Sequence, residues 1–322
     1  MNLTSAQQVK KLLAEHGIRP KKRLGQHFLI DRNVLNRIVE ASGAGRGAKV
    51  LEIGPGLGVV TRELVDRGAR VVCVEVDRAL EPVLESVLSG ASGAEIVISD
   101  FLRLDLPEFL RERGGGKWVV VGNLPYYITS PIVGSLLDAK EHFSTMLLMV
   151  QREVAERLRA LPGTRDYGSL SVFVQYHCDI EGVMAVSRNV FYPVPEVDSE
   201  LVRLIVRERP PAEVSDERLF FLVVRAAFGK RRKILLNALS SSSELGWGRG
   251  EASAALARAE IDAGRRGETL SIDEFARLAS AGERVDCGAS APLCTRLLDA
   301  TSAPKAVLKP RSPKKQLRKR CS

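Results

Sequence analysis

One turn of the chain carries side chains that could hold a nucleic-acid base. Asn123, Leu124, Pro125 and Tyr126 follow one another directly after an apolar run at residues 118–121. Proline restricts the backbone of such a turn. The amide of Asn123 and the carbonyl of Leu124 are hydrogen-bond acceptors, and the ring of Tyr126 offers a flat face for stacking. We therefore expect the turn to hold a base that has been taken out of its stack, with its exocyclic amine against the acceptors.

Methylation of that amine is the chemistry that such a turn suits. The N6 lone pair of adenine is delocalised into the ring, so the amine is a weak nucleophile. Acceptors for its N–H bonds would hold the nitrogen and favour a more tetrahedral, nucleophilic geometry. A sulfonium donor has a neutral leaving group, so positioning can supply most of the catalysis and no strong general base is required.

A glycine-rich loop in the first third of the chain is the second motif. Glycines occupy every second position, at Gly54, Gly56 and Gly58. They lie between an apolar run at residues 49–53 and a helical pattern at residues 59–67. Glycine lets the backbone pass close to a ligand, and the following helix presents its amide end. The spacing differs from the G-x-G-x-x-G fingerprint of dinucleotide sites. The loop therefore predicts a nucleoside site of another kind.

Two acids follow in the order that such a site needs. Glu75 ends a strand-like run at residues 70–75, and Asp100 comes just after another at residues 95–98. A carboxylate at the first position can accept hydrogen bonds from both ribose hydroxyls, and one at the second could accept from an adenine amine. Ligands bind at the carboxyl ends of strands in open α/β sheets. S-adenosylmethionine fits better than NAD, because no second phosphate-binding feature is evident.

The elements that position these motifs alternate between strand and helix. Nearly continuous apolar runs are typical of strands buried on both faces of a parallel sheet. Their alternation with helical stretches predicts an open α/β sheet wound in right-handed units. The predicted strands are residues 49–53, 70–75, 95–98, 118–121, 146–150 and 201–206, and the predicted helices between them are residues 59–67, 78–89 and 130–139.

The last third of the chain has a helical pattern. Residues 216–239 read as one long amphipathic helix with an Asp/Ser signal at its start. A Gly/Ser-rich break follows at residues 240–250, and helical patterns recur at residues 251–259 and 272–281. The sequence therefore predicts a small all-α C-terminal domain.

Four regions result from these patterns. A short helix at residues 5–16 precedes a basic extended arm. Beyond residue 283 the chain is rich in Ala, Ser and Pro and then purely basic, a composition typical of disorder. The predicted regions are an N-terminal arm at 1–32, an S-adenosylmethionine-binding domain at 33–207, a helical RNA-binding domain at 208–284 and a disordered basic tail at 285–322.

The distribution of charge indicates a nucleic-acid partner. The net charge is +9, but residues 301–322 alone hold eight Lys and Arg residues and no acid. In the nearly neutral remainder, two basic clusters stand out, at residues 19–23 and at Arg225 with residues 230–233. A phosphate backbone is the natural partner of such patches.

Composition excludes several other classes. The five cysteines form no C-x-x-C pair, so we expect no metal site and a reduced, cytoplasmic protein. No apolar run approaches the ~18–20 residues that span a bilayer. Residues 1–11 lack the apolar segment of a secretory signal. We expect a monomer without membrane contact.

Taken in order, the motifs resemble the adenine N6,N6-dimethyltransferase family of ribosomal RNA. The resemblance covers residues 19–281, nearly the whole body of the chain. The matching segments are residues 22–29, 52–58, Glu75, Asp100, residues 123–126, 151–154, 167–171, 191–199, 224–228 and 231–233.

The resemblance implies a fold, a cofactor and a substrate. The fold is a seven-stranded class I S-adenosylmethionine-dependent methyltransferase sheet with a small all-α C-terminal domain. The substrate is a pair of adjacent adenines near the 3′ end of 16S RNA in the immature small ribosomal subunit, each methylated twice. Target contacts are implied at Asn123, Leu124, Pro125 and Tyr126, with Phe191 as a second stacking face. Cofactor contacts are implied at His27, Leu29, Gly54, Glu75, Asp100 and Asn123. Relatives often have Asn at the position of His27, and the tail beyond residue 285 matches nothing in the family.

Three alternatives remain open. A resistance-type methyltransferase of large-subunit RNA shares the fold, but the length of the C-terminal domain and residues 191–199 favour the small subunit. A non-catalytic RNA-binding assembly factor would not need the complete set of glycine loop, two acids and Asn123. A dehydrogenase is disfavoured by Pro55 and by the turn that begins at Asn123.

Overall fold

The computed structural model describes residues 3–230 and 232–282. Arg231 and the predicted tail at 285–322 therefore lie outside the described residues. Within them the strands are β1 (Phe28–Leu29), β2 (Lys49–Ile53), β3 (Arg70–Glu75), β4 (Ala94–Ile98), β5 (Trp118–Asn123), β6 (Phe143–Gln151), β7 (Cys178–Val186), β8 (Phe191–Tyr192) and β9 (Ser199–Val206). The α-helices of the same residues are α1 (Ala6–Glu15), α2 (Arg32–Ser42), α3 (Val59–Asp66), α4 (Glu81–Val87), α5 (Leu106–Glu112), α6 (Thr129–Asp138), α7 (Arg152–Leu158), α8 (Ser169–His177), α9 (Glu217–Gly229), α10 (Leu235–Leu239), α11 (Arg249–Arg258) and α12 (Ile272–Ala281).

A seven-stranded sheet forms the centre of the described chain, in the order β4-β3-β2-β5-β6-β9-β7. The strands from β4 to β6 are parallel, and β9 runs antiparallel to both β6 and β7. The chain steps outwards from β2 to β3 on one side and reaches β5 on the other, so a switch point lies beside β2. The predicted seven-stranded α/β sheet is confirmed, and so are the predicted strands within it.

Helices cover both faces of the sheet, which is why the strand sequences are apolar on both sides. Residues of α2 and α3 pack with the sheet in one cluster, which includes Leu35, Ile38 and Leu64. Residues of α5, α6 and α8 pack in another, and this second cluster continues into the C-terminal helices. Aromatic side chains make this connection: the ring centroids of Tyr176 in α8 and Phe220 in α9 are 4.8 Å apart.

The N-terminal helix α1 confirms the helix predicted at residues 5–16 and packs beside the glycine loop. Val9, Leu12 and Leu13 are buried in a small cluster with Leu57 of the loop and Leu80, which precedes α4. The chain then passes through residues 21–28 before it enters α2. The first segment of the chain is therefore attached next to the carboxyl ends of β2 and β3.

The prediction of one helix at residues 216–239 is wrong, because two helices occupy that range. Helix α9 ends at Gly229, and Lys230 has a non-helical φ of −134°. Glycine is a poor helix former, and the like charges of Lys230 and Lys233, three residues apart, would face each other in a continued helix. The N–H of Leu235 then donates to Arg265 O at 2.7 Å, so α10 takes its direction from a tertiary contact.

None of the helices within residues 3–230 and 232–282 is both long and apolar enough to cross a bilayer.

Candidate active site

The carboxyl ends of four neighbouring strands open into one cleft of about 230 Å³. The cleft brings together five of the residues predicted to contact a cofactor, whereas Leu29 lines an adjoining pocket instead. These five predicted residues, all of which line the cleft, are His27, Gly54, Glu75, Asp100 and Asn123.

The glycine loop after β2 has a backbone that side chains would disturb. Gly56 has a φ of +59°, in the left-handed region that favours glycine. A Cβ atom there would lie 3.1 Å from Cδ1 of Phe28, closer than ordinary contacts. The loop can therefore bend back over the end of β2 and leave its backbone facing the cleft.

Glu75 is held between the glycine loop and the segment after β3. Its side chain is buried, with the residue 5% exposed. Oε2 accepts the Gly56 N–H at 3.2 Å, and Oε1 accepts the Asp77 N–H at 2.9 Å. A carboxylate has about four lone-pair positions, so both oxygens can still accept from a ligand hydroxyl. Burial raises the pKa of Glu75 to about 7.

Asp100 lies at the other side of the cleft, where β4 ends. Its Oδ1 accepts the Leu102 N–H at 3.1 Å and so caps a short 3-10 turn. Its Oδ2 lies 3.6 Å from Nε of Arg103. These contacts fix the side chain at the cleft wall and leave acceptor capacity for a ligand N–H group.

The amide of Asn123 has an orientation that its neighbour determines. Nδ2 donates to the carbonyl oxygen of His27 at 3.2 Å. A backbone carbonyl can only accept, so the nitrogen of the amide must face His27. Oδ1 is therefore the atom left to accept a hydrogen bond, which is the property that holding an amine requires.

The backbone of the turn after Asn123 is fixed by hydrogen bonds. The Leu124 N–H donates to Met149 O of β6 at 3.1 Å, while the Leu124 side chain is buried. Pro125 precedes a 3-10 turn, Tyr126–Ile128, and its carbonyl accepts from Thr129 Oγ1 at 3.2 Å. The predicted rigid turn is therefore present, with Leu124 able to contribute only backbone groups to a ligand.

The Tyr126 side chain has contacts at its hydroxyl group and on one face of its ring. Its hydroxyl shares a hydrogen bond of 2.8 Å with Oγ of Ser199. Its ring stacks with that of His27, with centroids 6.1 Å apart and planes 24° from parallel. Burial raises the pKa of the Tyr126 phenol, so the hydroxyl stays protonated. The next residue, Tyr127, lines the cleft and is 57% exposed, and the sequence reasoning passed over it although both residues are tyrosines.

Phe191, which was predicted to offer a second stacking face, lines neither the cleft nor the adjoining pocket. It is 1% exposed, and β8 pairs it with Leu29 of β1. Its side chain packs in the cluster that contains Ile38 of α2 and Leu201 of β9. Because β8 alternates its side chains between two sides, the Phe191 ring points into the core and anchors the strand.

A second acid beside the glycine loop was missed from the sequence. Glu52 lies on β2 and is buried, and its Oε2 accepts from Oγ1 of Thr61 at 2.5 Å. Burial, together with the nearby charge of Glu75, raises the pKa of Glu52 to about 7. Glu52 lines an apolar pocket that shares Gly54 and Asn123 with the cleft. An acid inside an apolar strand was the available signal.

The two basic clusters divide into paired and exposed members. Lys21 Nζ lies 2.5 Å from Oδ1 of Asp77, and Arg225 is paired with Glu244. These two side chains are thus engaged within the protein. The exposed members of the clusters, among the residues described, are Arg19, Lys22, Arg23, Lys230, Arg232 and Lys233.

Comparisons with known proteins identify relatives of this chain. A family model described as ribosomal RNA adenine dimethylase matches residues 17–281. Ribosomal RNA small subunit methyltransferase A of Pelotomaculum thermopropionicum is 49% identical over 84% of this chain and 94% of its own length. The protein of the same name from Clostridioides difficile is 42% identical over 86% of this chain and 96% of its own.

Two solved structures have the same fold. A dimethyladenosine transferase from Plasmodium falciparum has a TM-score of 0.65 at 24% identity, covering 78% of this chain and 96% of the other. The 23S rRNA methyltransferase ErmE has a TM-score of 0.59 at 32% identity, covering 79% and 98%. The predicted class I methyltransferase fold and the predicted family are confirmed. The chain belongs to the ribosomal RNA adenine dimethylase family.

Proposed function

We propose that this chain transfers methyl groups from S-adenosylmethionine to N6 of two adjacent adenines near the 3′ end of small-subunit ribosomal RNA. The product is N6,N6-dimethyladenosine, formed during small-subunit biogenesis. The orientation of Asn123 carries the proposal, because its free Oδ1 lies at the cleft that also holds the glycine loop and Glu75. The names of the relatives support the choice of the small subunit.

The residues of the cleft fit the methyl donor. Glu75 can accept from the ribose hydroxyls, and Asp100 from the adenine amine of the cofactor. The backbone of the glycine loop is open because Gly56 has no side chain, and it would hold the amino-acid end of the cofactor. When bound, S-adenosylmethionine supplies an electrophilic methyl group and a neutral thioether leaving group.

The turn residues hold and orient the target adenine. Oδ1 of Asn123 and the carbonyl of Leu124 accept the two N6–H bonds, and the ring of Tyr126 stacks on the base. After one methylation a single N–H remains, and one acceptor is enough to hold it for the second transfer. Positioning of this kind is worth several orders of magnitude in rate. As the methyl group bonds to N6 the nitrogen becomes cationic and acidic, and its N–H proton then passes to water, so no strong general base is required.

The large subunit is the competing substrate. ErmE acts on 23S rRNA by its name and is 32% identical to this chain. The relatives named for the small subunit are 42–49% identical over 84–87% of the chain. The higher identity over the greater length supports the small subunit.

The RNA partner is an immature small ribosomal subunit, bound by a monomer in the cytoplasm. Exposed basic residues lie both before the cleft, at Lys22 and Arg23, and beyond α9, at Lys230, Arg232 and Lys233. These two patches support contact with RNA by the N-terminal arm at 1–32 and by the helical domain at 208–284, on either side of the methyltransferase domain at 33–207.

A transfer assay on ribosomal particles tests the proposal. Methyl-labelled S-adenosylmethionine is mixed with the purified chain and, in separate reactions, with small-subunit and large-subunit particles from cells that lack the modification. We expect label in the small-subunit RNA, recovered as dimethyladenosine at two adjacent positions near its 3′ end. Fully modified particles are the control. Label confined to large-subunit RNA would reject the small-subunit proposal in favour of its competitor.

Replacing Gly56 by alanine is expected to weaken cofactor binding. A left-handed φ costs a residue with a Cβ atom about 1–2 kcal/mol. If the loop of the variant relaxes in the unliganded protein but must readopt this φ to bind the cofactor, the cofactor affinity falls by about five- to thirtyfold. The close approach to Phe28 adds to this strain. Calorimetric titration with S-adenosylhomocysteine measures the change, and Gly45→Ala, in an open position without a left-handed φ, is the control. Equal affinities in wild type and Gly56→Ala would contradict the role of the loop.

Cofactor affinity is expected to rise with pH through about 7. The ionised form of Glu75 can accept hydrogen bonds from the ribose hydroxyls directly. Burial keeps the carboxyl of the unliganded protein protonated below its pKa of about 7, and this proton must be lost before the carboxylate can bind. Below that pKa the affinity should fall by at most about tenfold per pH unit. Titrations from pH 5.5 to 8.5 measure the slope, and Glu75→Gln should remove it. A slope that persists in Glu75→Gln would assign the titration to another group.

The same pKa shifts act on stability with the opposite sense to an ordinary paired acid. Glu52 and Glu75 have pKa values of about 7 in the folded chain, above the ordinary value of 4.5 expected in the unfolded chain. Between these two pH values the folded chain therefore binds more protons than the unfolded chain. The free energy of unfolding therefore decreases as pH rises from about 4.5 to 7 on account of these two groups.

A further inference from the structure

Residues 21–28, which we call the strap, cross the mouth of the cofactor cleft. Residues 24–28 all contribute to the lining of the cleft. The strap is closed on itself at its start, where the Lys21 N–H donates to Oε1 of Gln26 at 2.8 Å. It is therefore a compact loop that lies on the cleft rather than a free arm.

The side chain of Asp77, just after β3, holds the strap at two points. Oδ1 of Asp77 lies 2.5 Å from Nζ of Lys21, and Oδ2 accepts from Nε2 of Gln26 at 2.8 Å. The Asp77 side chain is 3% exposed, while that of Lys21 is 35% exposed. Burial opposes ionisation of Asp77, but hydrogen bonds from Lys21 and Gln26 outweigh it and keep its pKa below the ordinary value.

Asp77 is itself fixed to the cofactor site. It follows β3 two residues after Glu75, and its N–H donates to Oε1 of Glu75 at 2.9 Å. Its Oδ1 also accepts the Ala79 N–H at 3.1 Å, which caps a 3-10 turn. Asp77 thus couples the strap, which its side chain holds, to the carboxylate that is proposed to bind the ribose, which its backbone N–H contacts.

The far end of the strap touches the turn that holds the target base. The carbonyl of His27 accepts from Nδ2 of Asn123, and Nδ1 of His27 lies 2.7 Å from Pro193 O. Gly25, in a left-handed conformation, lies against Pro125. Movement of the strap would therefore remove the contact that orients the Asn123 amide.

We infer that Lys21 and Asp77 are positioning residues, whose ion pair latches the strap over the cofactor and sets the His27 carbonyl against Asn123. Neither residue needs to touch the substrate. The inference rests on the proposed function, since it gives the latch a role in retaining the cofactor and orienting the acceptor amide. A buried carboxylate loses most when its partner is removed, so the pair is a single unit rather than two independent contacts.

Two single variants and their double test the latch in the unliganded full chain. Asp77→Asn removes the charge but retains a side chain that caps turns well. Lys21→Met keeps the aliphatic stem and removes the ammonium. We expect amide hydrogen exchange within residues 24–28 to be about tenfold faster in each single variant, and the double variant to be no faster than either one. Lys21→Arg should restore slow exchange.

A binding measurement on the same proteins extends the test. The Kd for S-adenosylhomocysteine is expected to rise about tenfold in each single variant, again without a further rise in the double variant. Lys11→Met is the matched control, because it removes one positive charge from the same N-terminal region, where Lys11 is 76% exposed and pairs with Glu15. It should leave both exchange and Kd unchanged.

The outcomes separate the latch from the proposed function. Exchange at wild-type rates in both single variants would overturn the latch, and so would fully additive effects in the double variant. If Asp77→Asn fails to fold, Lys21→Met decides alone, because its side chain is partly exposed. Exchange and cofactor titration need no RNA, so a wild-type chain that transfers no methyl group would reject the proposed function and leave the latch to be judged on these two measurements.

Discussion

Replacing Asn123 by alanine is expected to lower the rate of methyl transfer by about 10²–10³-fold, the size of effect seen when one preorganised polar group is removed from a reacting centre. The physical reason is the orientation of the amide. The His27 carbonyl accepts from Nδ2, so Oδ1 is the amide atom that can accept from the proposed target amine. Alanine would leave that amine with the Leu124 carbonyl as its one remaining proposed acceptor, and less restricted in rotation.

Single-turnover transfer to small-subunit particles measures the loss, and calorimetry measures cofactor affinity in the same preparation. Affinity should change little, because Glu75 and the glycine loop remain. Asn33→Ala, on the exposed face of α2, is the matched control and should behave as wild type. A loss of cofactor affinity as large as the loss of transfer would assign Asn123 to the cofactor alone. Asn123→Asp is a sharper variant, because a carboxylate keeps the acceptor but cannot donate to His27.

The parallel strands of the sheet could all be predicted from the sequence, although β5 and β6 extend beyond the predicted residues 118–121 and 146–150. The runs at residues 49–53 and 70–75 coincide with β2 and β3, because strands covered by helices on both faces need apolar residues at nearly every position. The edge strand β7 gave no such signal. Most of its residues are partly or fully exposed, and Gly182 interrupts it where its pairing with β9 changes register.

Site residues could be predicted where their type and their position along a strand agree. Glu75 and Asn123 both end strands, so their side chains had to meet at one edge of the sheet. Phe191 could not be placed in this way, since a core aromatic and a stacking aromatic have the same sequence signature next to prolines. The pairing of β8 with β1 decides between them, and β1 lies far away in the sequence.

Contacts between distant segments were beyond the reach of the sequence. The orientation of Asn123 depends on a carbonyl 96 residues earlier in the chain. The basic run at residues 19–23 gave a prediction of RNA contact, but Lys21 is turned inwards by Asp77, whose carboxylate no local pattern places there. A charge run predicts an electrostatic surface well and predicts poorly which of its members a folded protein uses internally.

Replacing Tyr126 by alanine is expected to lower transfer by about ten- to a hundredfold, because base–aromatic stacking contributes about 1–3 kcal/mol per base. Tyr126→Phe should lose far less, since it keeps the ring and gives up only the hydrogen bond to Ser199. Stacking on the proposed base acts on the RNA step, so the cofactor Kd should be unchanged in both variants. Single-turnover rates at saturating cofactor measure the difference.

The neighbouring tyrosine is the matched control for this prediction. Tyr127 lines the cofactor cleft, whereas Tyr126 does not. Tyr127→Ala should therefore raise the Kd for S-adenosylhomocysteine and leave transfer at saturating cofactor close to wild type. The opposite pattern, with Tyr126→Ala weakening the cofactor and Tyr127→Ala slowing transfer, would mean that the target base enters over Tyr127. The two tyrosines are neighbours in one 3-10 turn. A difference between their effects on cofactor affinity and on transfer rate would therefore come from the different directions in which their rings point.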